Sequence, residues 1–311
     1  MKIFGEKMIL VTGGAGFIGS HIVDKLIENT HDVIILDNLT TGNKNNINPK
    51  AEFVNADIRD KDLNEKINFK DVEVIIHQAA QINVRSSVEN PMHDANINVL
   101  GTINILEMMR KYDINKIVFA SSGGAVYGEP NYLPVDEDHP ITPLSPYGLS
   151  KYVGEEYIKL YNRLYGIEYA ILRYSNVYGE RQDPRGEAGV ISIFIDKMLK
   201  NQSPIIFGDG NQTRDFVYVG DVAKANLMAL NWKNEVVNIG TGKETSVNEL
   251  YKIIANELNY KNEPIYDKPR EGEVYRIFLD IKKAQNLGWI PDVDLKEGIK
   301  KVINWMRTIK K

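Results

Sequence analysis

Lys7-Met8-Ile9-Leu10-Val11-Thr12-Gly13-Gly14-Ala15-Gly16-Phe17-Ile18-Gly19-Ser20 is the stretch whose reading decides the fold. A short apolar run ends in a glycine turn, and Ile22, Val23, Leu26 and Ile27 follow at helical spacing; the order is strand, turn, helix. Spacing alone is weak evidence. With 24 glycines in 311 residues, a Gly-x-x-Gly-x-x-Gly arises by chance in roughly one such chain in seven. Position carries more weight. Gly13, Gly16 and Gly19 fall between the first strand and its helix, where glycines permit the tight turn and let backbone N–H groups approach a pyrophosphate at the helix N-terminus. The same residues would also make a plain glycine turn.

Working outward, the next apolar run, 32–37, ends in Asp37, 18 residues beyond Gly19. A carboxylate there suits the adenosine ribose and repels a 2′-phosphate, favouring NAD over NADP, although an Asp before Asn38 is equally a turn former. Further apolar runs at 52–55, 72–77, 116–121 and 168–174 alternate with helical patterns, among them 92–112 and 145–165. Unbroken apolar strands between helices predict a parallel sheet covered on both faces, a Rossmann-type doubly wound α/β fold. Asp57-Ile58 and Gln78-Ala79-Ala80 follow the third and fourth strands, at the carboxyl ends where such sheets bind ligands. The alternation stops near Tyr174. We expect residues 1–175, with a returning segment near 216–245, to form the dinucleotide-binding domain. Residues 176–215 and 246–311, whose short elements include a helix over 190–199, form a smaller mixed α/β substrate domain.

Composition narrows the function. A chain 43% hydrophobic and 26% charged is that of a globular protein. It has no apolar run of 18 residues and a polar start, so a membrane span and a signal peptide are not expected, and the cytoplasm is. Zero cysteines and five histidines without a His-x-x-x-His pair leave no thiolate chemistry and no metal. With 38 basic and 42 acidic side chains the net charge is −4, which gives nucleic acid no attracting field; an anionic ligand must be held locally.

Tyr147 and Lys151 lie four apart on a helix opened by Ser145-Pro146, an N-cap and a first-turn proline, so they share a face. Chance predicts roughly 1.4 Tyr-x-x-x-Lys pairs for 16 tyrosines and 27 lysines, and the chain holds two. Tyr112/Lys116 spans a helix end and a strand start, a structural position. Tyr147/Lys151 follows a strand ending in Ser121-Ser122, and such a serine can reach the same pocket. A tyrosine serving as a base at neutral pH must be lowered by about 3 from its usual ~10, or ~4 kcal/mol of preferential anion stabilisation. A neighbouring ammonium and a cationic nicotinamide would supply it.

Over nearly its whole length the chain resembles the extended short-chain dehydrogenase/reductases, in particular the NAD-dependent epimerase/dehydratase group and its prokaryotic UDP-glucose 4-epimerase branch. The resemblance rests on 11–20, Asp37-Asn38-Leu39-Thr40-Thr41-Gly42, Ser121-Ser122-Gly123-Gly124-Ala125-Val126-Tyr127-Gly128-Glu129-Pro130, Ser145-Pro146-Tyr147-Gly148-Leu149-Ser150-Lys151, 172–179 and Thr213-Arg214-Asp215-Phe216-Val217. It implies catalysis by Tyr147, Lys151 and a serine, Ser122 with Ser121 in reserve. It also implies NAD contacts at Phe17, Ile18, Asn38, Thr41, Gly42, Asn98, Ser121 and Tyr174. A UDP-sugar would be held by Asn176, Arg214 and Arg270 on the diphosphate and by Gly189-Val190 on the uracil side. Glu273 stands where the group often has a ribose-binding Asp.

Related 4,6-dehydratases place an Asp-Glu pair directly after the catalytic Ser/Thr; here Gly123-Gly124 stand there, which points to UDP-hexose 4-epimerisation. The rivals are a 4-epimerase of N-acetylated or uronic UDP-sugars, for which Ile277 lies at the sugar-pocket wall, a net nucleotide-sugar oxidoreductase, and a non-catalytic dinucleotide sensor. The resemblance implies a homodimer through helices 92–112 and 145–165. Ile97, Leu100, Ile105, Val153 and Tyr157 suit that interface or internal packing.

Overall fold

The computed structural model describes residues 7–184, 189–269 and 274–309. Its first half runs β1 (Met8–Thr12), α1 (Phe17–Glu28), β2 (Val33–Asp37), β3 (Glu52–Asn55), α2 (Leu63–Lys66), β4 (Val72–His77), α3 (Val84–Glu89), α4 (Pro91–Ala95), α5 (Gly101–Lys111), β5 (Lys116–Ser122), α6 (Pro146–Tyr165) and β6 (Glu168–Tyr174). The second half adds β7 (Asn176–Tyr178), α7 (Val190–Leu199), β8 (Ile205–Phe207), β9 (Thr213–Arg214), β10 (Phe216–Tyr218), α8 (Val219–Ala229), β11 (Glu235–Ile239), β12 (Thr245–Ser246), α9 (Val247–Leu258), β13 (Ile265–Asp267), α10 (Lys282–Asn286) and α11 (Leu295–Ile309).

Seven strands make one parallel sheet in the order β11-β6-β5-β4-β1-β2-β3. The order reverses between β1 and β4, where Thr12 pairs with His77, and ligands bind beyond the carboxyl ends at such a reversal. Ile9, Val11 and Ile35 enter one core with Ile22 and Leu26 of α1 and Val222 of α8. Their neighbours Leu10, Ile34 and Leu36 enter the opposite core with Leu106 of α5 and Ile158 of α6. Successive strand residues face opposite sides, and both sides are covered, so the strands read as unbroken apolar runs.

Ile105 is fully buried in the second of these cores, which removes it from the interface candidates, whereas Leu100 keeps 55% of its surface exposed. Ile97 and Tyr157 pack partly buried against the same core, and Val153 is half-buried. The helical pattern over 92–112 is realised as α4 and α5 joined by a π-helical turn, Asn96–Leu100, a distortion that gathers at functional sites. A third core joins Ile191 and Phe194 of α7, Leu250 and Ile254 of α9, and Val302 and Met306 of α11. β11 rejoins the sheet beside β6. Ala284 of α10 and the fully buried Trp289 pack into the first core, and the Trp289 indole N–H donates to the Asp221 carbonyl at 3.1 Å.

Candidate active site

The glycine turn after β1 is a cradle that side chains would fill. A Cβ on Gly19 would lie 2.1 Å from the Gly13 carbonyl oxygen, and one on Gly13, whose φ is +68°, would lie 2.8 Å from the Ala79 nitrogen. Gly16 caps α1 with no side-chain hydrogen bond. The first-turn amides, starting at Phe17 and Ile18, therefore fit a dinucleotide pyrophosphate.

Asp37 ends β2 nearly buried, its Oδ2 accepting from the Ala15 amide at 3.0 Å and its Oδ1 from the Leu39 amide at 2.8 Å. Burial pushes its carboxyl up and these amides pull it down. The loop carrying exposed Asn38 and Thr41 closes over it, since a Cβ on Gly42 would lie 2.6 Å from Asp37 Oδ1. Asn38 Nδ2 donates to Asp57 Oδ2 at 2.8 Å, and Arg59 grips Asp57 with Nε and Nη2, both at 2.8 Å. That guanidinium holds the Asp57 carboxyl well below the usual range. Ile58 is a core residue beneath Gly101.

At the end of β4, Ala79 donates its amide to Thr12 Oγ1 at 3.1 Å, with half-buried Ala80 next. Gln78 Nε2 donates to Tyr174 Oη at 3.1 Å and Asn226 Oδ1 at 3.2 Å; burial pushes the Tyr174 phenol up to about 12. Asn98, in the π turn, accepts from the Gln81 amide at 2.8 Å, and its Nδ2 donates to the Gln81 carbonyl, Asp94 Oδ1 and Ser150 Oγ.

Ser145 caps α6 by accepting from the Gly148 amide at 3.1 Å, with Pro146 in the first turn, and this sets Tyr147 and Lys151 one turn apart. Ser122, the last residue of β5, brings its hydroxyl beside the Tyr147 phenol and draws that phenol down. Ser121 instead donates to Glu155 Oε1, so the geometry selects Ser122 as the partner of Tyr147. Burial pushes the Tyr147 phenol up to about 12; the Ser122 hydroxyl opposes it and the Asp94 charge adds to it. The expected lowering of this tyrosine is thus not supplied by the protein alone, because enclosure outweighs the pull of Ser122. Burial brings the Lys151 ammonium down to about 8, against the pull of Asp94 and then Glu155. Lys151 Nζ sits 4.9 Å from the Phe119 ring centre.

Beyond the serines, a Cβ on Gly123 would lie 2.8 Å from Leu279 Cδ1 and 3.2 Å from the Arg173 carbonyl, whereas one on Gly124 would meet nothing nearer than 3.8 Å. Asn176 opens β7, and Arg214 in β9 donates Nη1 to the Thr213 carbonyl at 2.8 Å. Asn176, Ser175, Asp215 and buried Ile277 line a small recess with the two glycines. Gly189 caps α7 and Val190 begins it; Arg270 and Glu273 lie outside the described residues. Among the described residues no cluster of His, Asp or Glu could hold a metal.

Sequence reasoning missed two buried carboxylates. Glu155, four residues after Lys151, pairs with Arg173, whose Nε and Nη2 reach it at 3.0 and 2.7 Å. Asp94 lies four residues before Asn98. Their helical spacing to residues already singled out was the available signal.

A doubly wound sheet, a glycine cradle at its reversal point and a Ser–Tyr–Lys cluster beside it define a dinucleotide-dependent protein of the extended short-chain dehydrogenase/reductase class. The chain belongs to the NAD dependent epimerase/dehydratase family, which matches residues 9–240. It is 89% identical over 300 residues to a Methanocaldococcus jannaschii protein provisionally named a UDP-glucose 4-epimerase, covering 96% of this chain and 98% of that one. The structure of a Thermotoga maritima UDP-glucose 4-epimerase with UDP-glucose is 47% identical with a TM-score of 0.95, over 97% of this chain and 99% of that one. That of a Thermus thermophilus UDP-glucose 4-epimerase with NAD is 42% identical with a TM-score of 0.91, over 96% and 99%.

Proposed function

We propose that the protein is an NAD-dependent 4-epimerase of UDP-hexoses that interconverts UDP-glucose and UDP-galactose through a 4-keto sugar. The observation that carries this reading is the Ser122–Tyr147 contact one helical turn from Lys151. Glycines rather than carboxylates follow the serine, which argues against dehydration. In this reading 1–175 with 216–245 hold the cofactor, and 176–215 with 246–311 hold the nucleotide sugar.

Gly13, Gly16 and Gly19 would hold the pyrophosphate and Asp37 the adenosine ribose. NAD, when bound, would supply a hydride acceptor that later becomes the donor, and a positive charge that opposes the upward push of burial on Tyr147. Tyr147 Oη takes the proton of the sugar 4-hydroxyl, Ser122 orients that hydroxyl, and the Lys151 ammonium stabilises the phenolate. Arg214, Arg270 and Asn176 keep the diphosphate fixed, because few well-placed guanidinium donors must do this in an acidic protein. The keto sugar turns about its link to the diphosphate, and Tyr147 returns the proton to the C4 oxygen once the opposite face is presented.

The test is incubation of the purified protein with UDP-galactose and no added NAD. UDP-glucose should form without lasting accumulation of reduced nicotinamide; no conversion even with added NAD would sink the reading. Ser122→Ala should lower kcat about 100-fold. Ser121→Ala should instead cost about 1–3 kcal/mol of stability through its lost bond to Glu155, as read by denaturant unfolding.

We further infer a homodimer built on α4, α5 and α6. Support comes from Met92, Leu100, Leu149 and Leu164, which these helices and the π turn leave exposed, and mass in solution tests it. No described helix is long and apolar enough to cross a membrane. The proposed setting is galactose metabolism in the cytoplasm.

A further inference from the structure

Gln78 follows β4 at the point where the strand order reverses, its amide donating to the Thr12 carbonyl at 3.1 Å. The next residue, Ala79, packs against Gly13 of the glycine cradle, so Gln78 stands beside that cradle at the carboxyl end of the sheet. Its side chain joins a polar triad between β4, β6 and α8. Gln78 Nε2 donates to Tyr174 Oη at 3.1 Å and to Asn226 Oδ1 at 3.2 Å. Tyr174 Oη donates to Asn226 Oδ1 at 3.1 Å, and Asn226 Nδ2 donates to Tyr174 Oη and to the Val222 carbonyl, both at 2.8 Å.

Asn226 is wholly buried and Tyr174 5% exposed, so each proton must find its acceptor inside the protein. The inventory closes: the paired N–H groups of each amide and the single phenolic O–H meet two lone pairs on Asn226 Oδ1, two on Tyr174 Oη and the Val222 carbonyl. This closure fixes which way both amides lie. The Val222 carbonyl can only accept, so it takes the nitrogen of Asn226 and turns Asn226 Oδ1 toward Gln78. That oxygen can only accept in its turn, and it draws the nitrogen of Gln78 inward. Burial pushes the Tyr174 phenol up to about 12, so its O–H stays a donor to the same oxygen in the working range. Gln78 Oε1 is thereby left outside the triad. It has no hydrogen-bond partner among the described residues, and it is not sealed in the interior.

We propose that Asn226 is a positioning residue for the cofactor, holding the Gln78 amide from within α8 so that a carbonyl oxygen, and not an NH2 group, is offered to an N–H or O–H donor of bound NAD. The dinucleotide carries such donors in its carboxamide and in its ribose hydroxyls. Asn226, with no exposed surface, touches no ligand and acts through Gln78. The role rests on NAD binding in this cleft, whichever sugar is turned over.

Asn226→Leu removes the acceptor that orders the triad. The Tyr174 O–H then turns to the one amide oxygen left, Gln78 Oε1, and the nitrogen of that amide swings outward to set donor against donor. Release of NAD from the purified holoenzyme, followed as exchange with fluorescent NADH, should become about tenfold faster. Gln78→Ala should speed release as well, and adding Asn226→Leu to it should change the rate by no more than about twofold, because nothing remains to be oriented. The acetylpyridine analogue of NAD, which lacks the carboxamide N–H, separates the two donors: an effect of Asn226→Leu lost with the analogue assigns the carboxamide, and one that persists assigns a ribose hydroxyl. If the leucine variant does not fold, Asn226→Ala carries the same expectation. A merely structural Asn226 would speed release equally with and without Gln78, or would lower the denaturant midpoint and leave release as in wild type, and either result overturns the proposal. A wild-type protein that holds no NAD would overturn it together with the cofactor site itself.

Discussion

Tyr147→Phe should lower turnover about 10³- to 10⁴-fold while UDP affinity stays within about twofold. Phenylalanine keeps the ring and the packing of α6, but it offers no oxygen to take the 4-hydroxyl proton. The Ser122 hydroxyl beside the phenol cannot replace it, because an aliphatic hydroxyl is a far weaker acid than a phenol and stays protonated. Initial rates with UDP-galactose and a UDP titration separate the two effects. Undiminished activity in the variant would remove Tyr147 from the chemistry. A parallel loss of UDP affinity would show that the ring acts in binding instead.

Arg173→Met should destabilise the protein by about 3–5 kcal/mol, because it takes away the guanidinium that pairs twice with the buried Glu155 carboxylate and leaves only the Lys159 ammonium, 4.0 Å away. Glu155 is wholly enclosed and Arg173 3% exposed, so water cannot replace the guanidinium. The damage should spread: Arg173 Nη1 also donates to Tyr127 Oη at 2.9 Å, and that hydroxyl to Asn238 Oδ1 of β11 at 2.7 Å. Pairing the change with Glu155→Leu should recover most of the stability, since an apolar pair of similar volume asks for no solvation. Denaturant unfolding of the single and double variants reads both effects, and equal stability of wild type and single variant would refute the account.

The central sheet was legible because its strands are covered on both sides, and 52–55, 72–77 and 168–174 coincide with β3, β4 and β6. The strands of two or three residues, β7 to β10 with β12 and β13, are too short to show a period. In the site, the choice between Ser121 and Ser122 turned on which face of β5 each residue occupies, and adjacent strand residues always occupy opposite faces. Asp94 and Glu155 stayed hidden for another reason. A carboxylate four residues from an amide or an ammonium on a helix usually marks a solvated surface pair, and only their burial in the folded chain separates them from that reading. Ile105 illustrates the same limit, since an apolar stripe does not say whether it meets its own core or another copy.

The late return of β11 and Trp289 to the first core has a consequence for biosynthesis. When residue 200 leaves the ribosome, β6 already stands at the margin of the sheet, but the strand that pairs with it, Glu235–Ile239, has not been made. The nascent chain therefore presents an open parallel edge, the kind of surface on which unwanted strand pairing begins. Closure of that margin waits on a further 35 residues or so, at about 5–20 residues per second, and the indole that completes the core arrives later still. For those seconds the newborn polypeptide is open to chaperones and to other emerging chains.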